Sequence, residues 1–325
     1  MKRSVCFLAI LLLVVGLSSN ALAQKTPIKM KGVQFLNLGT PSEKGFHRFI
    51  ELVNEGAKGE LVIEIAGGPE TIGGRKLAEA VRSGAVDFGY LPCGWYAPNV
   101  PAAAVMGLSR IDTLEGRKNG FHAFLVEEHK KAGIRFIGAN DYSGPFNMFA
   151  TKPINNPRDL KGMRFRHSPT YSFFKGLGIV GITVEHADLY SGLERGLFVG
   201  LYTKLGTFLE LSLDEVCKNI VGPGFWPDYS TVTIMNERRY ESLPKHLQDV
   251  IQNAELRTEQ ELPGIMAPII KGWNDDADKK GMKRIAWSPE DTKWYLDKID
   301  ELSWEARVAK LPPGMADKMK KMMGF

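Results

Sequence analysis

Short apolar runs alternate with stretches of helical period along this chain, the pattern of βα units feeding a parallel-rich sheet. Ile28 to Leu36 reads as a first strand. A helix from Ser42 to Gly56 follows, with Phe46, Phe49, Ile50 and Val53 on one stripe. LVIEIAG is a second strand, Leu77 to Ser83 a helix closed by Gly84, and VDFGYLP a third strand. Farther on, IRFIGAN and FNMFATK are strands separated by the loop DYSGP. From Ser242 to roughly Lys280 the period is helical, with Pro263 and Pro268 inside it. Proline removes a backbone hydrogen bond, so the spacing predicts a kinked helix or two abutting ones spanning both halves of the molecule. Ser288-Pro289-Glu290-Asp291 supplies an N-cap, a first-turn proline and an acidic third position. The helix it opens carries Tyr295, Ile299 and Leu302 on one stripe, with Leu296 beside them.

One internal echo stands out. EAVRSGAVDFGYLP and SGLERGLFVGLYTK both read as the end of an amphipathic helix, a glycine cap and a buried strand, with Gly84 matching Gly196. Two lobes built on one strand-helix logic explain it, and so does chance recurrence of a common α/β unit; the pattern leaves both open. The 325 residues suffice for two lobes, since domains run about 100 to 200 residues.

Composition narrows the functional classes. Lys2 and Arg3 precede an apolar run from Val5 to Leu17 and then Ala21-Leu22-Ala23, the form of a secretory signal cleaved near Ala23. That run falls short of the roughly 20 apolar residues a membrane span needs. The expected location is therefore the periplasm. Net charge is +5, two units of it from Lys2 and Arg3, which gives no nucleic-acid footprint. The basic stretch MADKMKKMMGF reads as a solvated helix face. Beyond Cys6, the thiols are Cys93 and Cys217, far apart in sequence and not expected to bridge. No C-x-x-C, H-E-x-x-H or His/acid cluster at ligand spacing occurs, so neither a metal nor another cofactor is expected.

Candidate chemistry lies in DLKGMRFRHSPTYSFFKGLG. A strand there carries Arg164 and Arg166 on one face about 6.6 Å apart, with Arg166 toward its carboxyl end. Ligands of open α/β sheets bind beyond that end. Ser168 and Thr170 are placed to cap a following helix, whose free N–H groups favour an anion. Arg166 is thus set to hold a carboxylate by a two-pronged, charge-assisted bond. Pairing with an internal Asp or Glu is the competing reading, and spacing does not separate them.

Three blocks in order, GGPETIGGRKLAEAVRSGAVDFGYLPCGWYAPNVPAA, NPRDLKGMRFRHSPTYSFFKGLG and DLYSGLERG, make the chain resemble solute-binding proteins of tripartite ATP-independent periplasmic (TRAP) transporters, of the dicarboxylate-receptor type. The resemblance implies an α/β fold of two lobes, the periplasmic binding protein fold, with hinge-crossing strands and a long lobe-spanning helix. It gives the DLKG-x-x-x-R arginine, here Arg166, the role of carboxylate clamp. Where relatives place a stacking Trp or Phe before DLY, this chain has His186. Where they read Asp-Gly-Gln-Glu-Asn it reads Val199-Gly200-Leu201-Tyr202-Thr203, so Thr203 takes the place of the contacting Asn and Tyr202 that of the Glu. A second Arg, usual in receptors for diacids or sugar acids, is replaced at the corresponding place by Pro145. A second buried carboxylate without a cation is costly, which favours a ligand with one carboxylate and an apolar or aromatic remainder. Trp95, Tyr96, Phe146, Phe225 and Trp226 are candidates for its wall, and Asn37 for a polar contact.

The expected lobes are residues 24–142 plus 231–270, and 143–230 plus 271–325, after a signal peptide at 1–23. The expected function is reception of a small organic acid and its delivery to the small and large membrane subunits of a TRAP transporter. A receptor for a signalling kinase shares the fold and pocket. A periplasmic hydrolase lacks support, because there is no G-x-S-x-G elbow, P-loop or nucleophile-base pair. The chain is therefore expected not to be an enzyme.

Overall fold

The computed structural model describes residues 26–168, 172–184, 188–225 and 229–325. The expected signal peptide, with His186, Thr170 and Trp226, lies outside them. Two sheets form. The first contains β1 (Ile28–Gln34), β2 (Leu61–Gly67), β3 (Phe88–Pro92), β4 (Ile134–Gly138) and β10 (Thr231–Asn236), in the order β2-β1-β3-β10-β4. The second contains β5 (Phe146–Ala150), β6 (Arg164–Arg166), β7 (Val180–Ile182), β8 (Gly200–Lys204), β9 (Asn219–Phe225) and β11 (Lys283–Ile285), in the order β11-β9-β5-β8-β6-β7.

Read from opposite ends the two orders are one topology. In the first sheet β1 runs parallel to β2 and β3, and β10 antiparallel to β3 and β4. In the second, β6 runs parallel to β7 and β8, and β5 antiparallel to β8 and β9. The echoed segments supply β3 and β8, the matching strands. Helix α2 (Gly74–Ser83) ends on Gly84 at φ +83°, and Gly196, after α5 (Leu189–Glu194), has φ +66°. Only glycine enters that region without strain. By the same correspondence the end of β6, with Arg166, matches the end of β1, with Gln34.

Helix α1 (Lys44–Gly56) buries Phe46, Phe49, Ile50 and Val53, as its stripe predicts. Helices α3 (Thr113–Lys118), α4 (Phe121–Lys130) and α7 (Glu237–Glu241) flank the first sheet, and α6 (Leu205–Glu210) follows β8 directly. One helix, α8 (Lys245–Lys279), contains both Pro263 and Pro268. Its first half packs Leu247, Ile251 and Ala254 among first-sheet residues, and its second half packs Leu262, Met266 and Trp273 against Phe149, Leu201 and Phe208. It therefore runs through both cores. Helix α9 (Pro289–Val308) starts as predicted, with the Ser288 hydroxyl accepting from the Asp291 amide at 3.0 Å. Helix α10 (Met315–Met322) turns back toward the first sheet: the Met322 carbonyl accepts from the Asn119 amide at 2.8 Å, and that of Met323 from the Arg110 amide at 3.0 Å.

Candidate functional site

The carboxyl ends of β1, β3, β6 and β8 carry the candidate residues. In β6, Phe165 is fully buried and meets Phe174 edge-on at 6.5 Å and Tyr202 at 5.7 Å. Alternation sends Arg164 and Arg166 to the other face. Arg164 donates to the Gly196 carbonyl at 2.9 Å. Arg166 does not share that fate: it is half-buried, its Nε is sealed from solvent without a hydrogen-bond partner, and no described carboxylate lies within ion-pair distance. A buried donor left unsatisfied costs roughly 1–3 kcal/mol, more when charged. The neighbouring His167 imidazole is pushed down, first by burial and then by the Arg166 charge.

Phe165 pairs with Gly200, so Arg166 shares a face with Thr203 rather than with Tyr202. Thr203 in turn lies opposite Asn147 on β5. Arg166, level with Leu201, thus shares a sheet face with Thr203, two residues farther along β8, and with Asn147 opposite it. Asn147, which also donates to the Pro145 carbonyl at 3.1 Å, was not foreseen in the sequence. Phe146 and Phe225 pair on the opposite face, their rings stacked 6.3 Å apart, and Phe225 meets the Phe173 edge at 5.8 Å. Phe146 remains half-exposed, as an aromatic wall requires.

Other expected contacts are placed differently. Tyr202 is 1% exposed, and its hydroxyl accepts from that of Tyr295 at 3.0 Å, so it fills the second-lobe core instead of reaching the Arg166 face. Tyr96, also 1% exposed, is held by His129 Nε2 at 2.8 Å in the first-lobe core. Trp95 beside it is half-buried, edge-on to Phe35 at 5.5 Å, with the Arg75 guanidinium 5.7 Å from its ring. Asn37 is exposed on the loop after β1, its carbonyl 3.4 Å from Gln34 Nε2. Pro145 is exposed and closes against Gly224, where a Cβ would fall 2.7 Å from the proline ring.

Two buried ionic groups at the crossing between the sheets escaped the sequence. Asp141, between β4 and β5, pairs with Lys204 at the end of β8 at 2.8 Å. It also accepts from the Thr231 hydroxyl at 2.8 Å and from the Ser143 amide at 3.1 Å. On α8, Glu255 and Glu259 face inward one turn apart, at 0% and 1% exposure. Arg117 engages Glu259 through Nε and Nη2, whereas Glu255 accepts only from Asn140 Nδ2, at 3.3 Å, and its Oε1 has no partner. The signal was present: both lie on the stripe Leu247, Ile251, Ala254, Thr258, Leu262 that the helix buries.

Cavities and reactive groups add little. A depression of ≈ 510 Å³ bordered by Asp87, Asn236 and Arg239 lies away from the strand ends, and one of ≈ 390 Å³ beside β6 and β7 is bordered by His167, Ser172 and Lys175. Strand ends and the orphaned guanidinium, not cavity size, locate the site. Cys93 and Cys217 are buried free thiols, and burial raises Cys93 to about 11, which removes it as a nucleophile near neutral pH. Among the described residues no cluster of His, Cys, Asp and Glu is arranged to hold a metal.

Two topologically equivalent α/β sheets joined by crossing strands, with a cation at one strand end, define a two-lobed binding protein. Residues 33–307 match the bacterial extracellular solute-binding proteins, family 7 (DctP), and the chain belongs to that family. It is accordingly a binding protein rather than an enzyme. A solute-binding protein of Albidiferax ferrireducens is 22% identical over 315 residues, 90% of each chain. A TRAP periplasmic solute-binding protein from Desulfovibrio salexigens with bound orotic acid superposes with a TM-score of 0.79 at 19% identity, over 91% of this chain and 97% of that one. A Bordetella pertussis extracytoplasmic solute receptor binding pyroglutamic acid gives 0.77 at 16% identity, over 91% and 99%. At such identities the likeness establishes the fold.

Among the described residues no helix is long and apolar enough to cross a membrane.

Proposed function

We propose that this chain is the periplasmic receptor of a TRAP transporter, that its ligand is a small organic acid with one carboxylate and an apolar or aromatic remainder, and that Arg166 clamps the carboxylate. The lobes are residues 24–142 plus 231–270 and 143–230 plus 271–325, and they close over the ligand before delivery to the small and large membrane subunits. The observation that carries the reading is the Arg166 guanidinium, half-buried at a strand end with an unsatisfied Nε and no described acid beside it. Thr203 and Asn147, on the same sheet face as Arg166, are proposed polar contacts, and His186 and Trp95 are proposed as further ligand contacts. Phe146 and Phe225 supply apolar wall. The ligands of two fold relatives, orotic and pyroglutamic acid, are likewise small organic acids. Exclusion of water on closure strengthens the arginine–carboxylate attraction.

Mass spectrometry of small molecules released from freshly purified, denatured protein tests the assignment. A stoichiometric organic acid is expected. A neutral sugar or a peptide as the retained species would overturn it, and so would turnover of the released compound by the native protein.

A further inference from the structure

We infer that Asp141 is the pin on which the two lobes turn: one buried carboxylate ties both sheets to the strand crossing and so sets the angle between them in the ligand-free protein. The inference rests on the closure proposed above for its motion, and its test needs no ligand. Asp141 stands in the first crossing, between the end of β4 and the start of β5. Its Oδ2 accepts from the hydroxyl of Thr231, the first residue of β10 in the first sheet, at 2.8 Å. The same oxygen lies 2.8 Å from the ammonium of Lys204, the last residue of β8 in the second sheet. Its Oδ1 accepts from the amide and the hydroxyl of Ser143, within the crossing itself. A single oxygen is thus the point at which a side chain from each sheet meets the other. Lys204 lies opposite Phe146, on the face away from Arg166, so the pin and the proposed clamp occupy different sides of the second sheet.

Every member of the cluster is buried: Asp141 is 6% exposed, Lys204 5%, Thr231 4% and Ser143 4%. Burial alone raises the Asp141 carboxyl, but the Lys204 charge and the Ser143 and Thr231 hydroxyls hold it below its ordinary range, so it keeps its charge at neutral pH. Drawing the two charges apart would leave each unpaired in a poorly solvated interior, which is strongly unfavourable. A lobe can instead rotate about the cluster, because hinges absorb their change in a few backbone torsions at element ends. Gly144, next to Ser143 and at φ +86°, supplies such a torsion between the pin and β5. Directed bonds to one atom also specify a geometry more narrowly than apolar packing does, since a fully satisfied polar cluster is rigid. The resting angle is therefore written into the crossing.

The test reads the angle between lobes in ligand-free protein. Nitroxide labels at Lys76→Cys on α2 and Lys175→Cys between β6 and β7, both exposed positions, report the distance between the lobes by double electron–electron resonance, and the native thiols are buried. Into this background go Asp141→Asn, Thr231→Val, Lys204→Met and the double variant Asp141→Asn with Lys204→Met. Each single change is expected to lengthen and spread the distances. The double variant is expected to go no farther than the singles, because all of them cut the same pin. Arg135→Met breaks a buried pair with Glu237 inside the first lobe, and is expected to lower the melting temperature while leaving the distances unchanged. A folded Asp141→Asn with wild-type distances overturns the inference, as does an equal shift in Arg135→Met, which would make the effect one of stability. If Asp141→Asn does not fold, Thr231→Val decides, since it cuts the first-sheet contact and leaves the ion pair. Failure of the receptor reading is separate: it appears in what the wild type releases on denaturation, whatever these distances are.

Discussion

Arg117 grips Glu259 with Nε and Nη2 together, joining α3 to the buried face of α8 beneath the crossing from the first sheet to the second. Arg117→Met leaves that carboxylate in the core without its cation. Removing one partner of a buried pair costs about 3–5 kcal/mol, so the midpoint of urea denaturation should fall sharply. A midpoint within error of the wild type would show that Glu259 finds another partner or solvent.

Glu255, one turn away, has no such partner. Its own burial, reinforced by the Glu259 charge, pushes its carboxyl well above the ordinary value of 4.5. Below that pH both folded and unfolded chains hold the proton. Above it the unfolded chain releases the proton and the folded chain keeps it, so this group lowers stability as pH rises, by up to about 1.4 kcal/mol per pH unit, until the folded carboxyl also ionises. Glu255→Gln should remove the slope and gain on the wild type between pH 5 and 8. Parallel denaturation profiles for the two proteins across that range would refute the assignment.

Arg166→Ala should lower ligand affinity by about 2–5 kcal/mol, since a buried carboxylate then lacks its partner. Arg166→Lys should also bind poorly, because a point charge does not reproduce the planar fork. Neither change should lower the melting temperature of the ligand-free protein, as the guanidinium has no described ion pair to lose. Titration calorimetry reads the first effect and calorimetric melting the second.

Burial raises the Cys93 and Cys217 thiols to about 11 and about 12. Native protein at pH 8 should resist a thiol-specific chromogenic reagent, with both groups reacting only after denaturation. One fast-reacting equivalent in the native state would show that a core opens on the timescale of the assay.

Much of the architecture was readable from periodicity, because each sheet buries its strands and each amphipathic helix turns one stripe inward. The echo around Gly84 and Gly196 survived as paired strands in equivalent sheet positions, since both turns require a backbone that glycine alone enters easily. The placement of Arg166 at the end of a short strand was legible from the alternation around Phe165. The aromatic residues were not: Trp95 and Tyr96 are adjacent in one short turn, Cys93–Tyr96, which leaves one half-exposed and sends the other into the core against His129. No local pattern encodes which ring goes where. Asp141 and Lys204 were hidden for another reason, as their pairing depends on how β5 and β8 return to the crossing. Glu255 and Glu259, by contrast, were visible as acids on an apolar stripe, and their helical phase was the overlooked signal.

The 35-residue α8 acts as a shaft about 52 Å long, threaded through both bodies. Pro263 and Pro268 each lack the amide that would bond back to Glu259 and Gly264, so two rungs of its ladder are missing just past the stretch anchored in the first body. Under the closure proposed above, torque from one half-molecule swinging against the other would concentrate at that weakened joint, making it the flexure of the shaft.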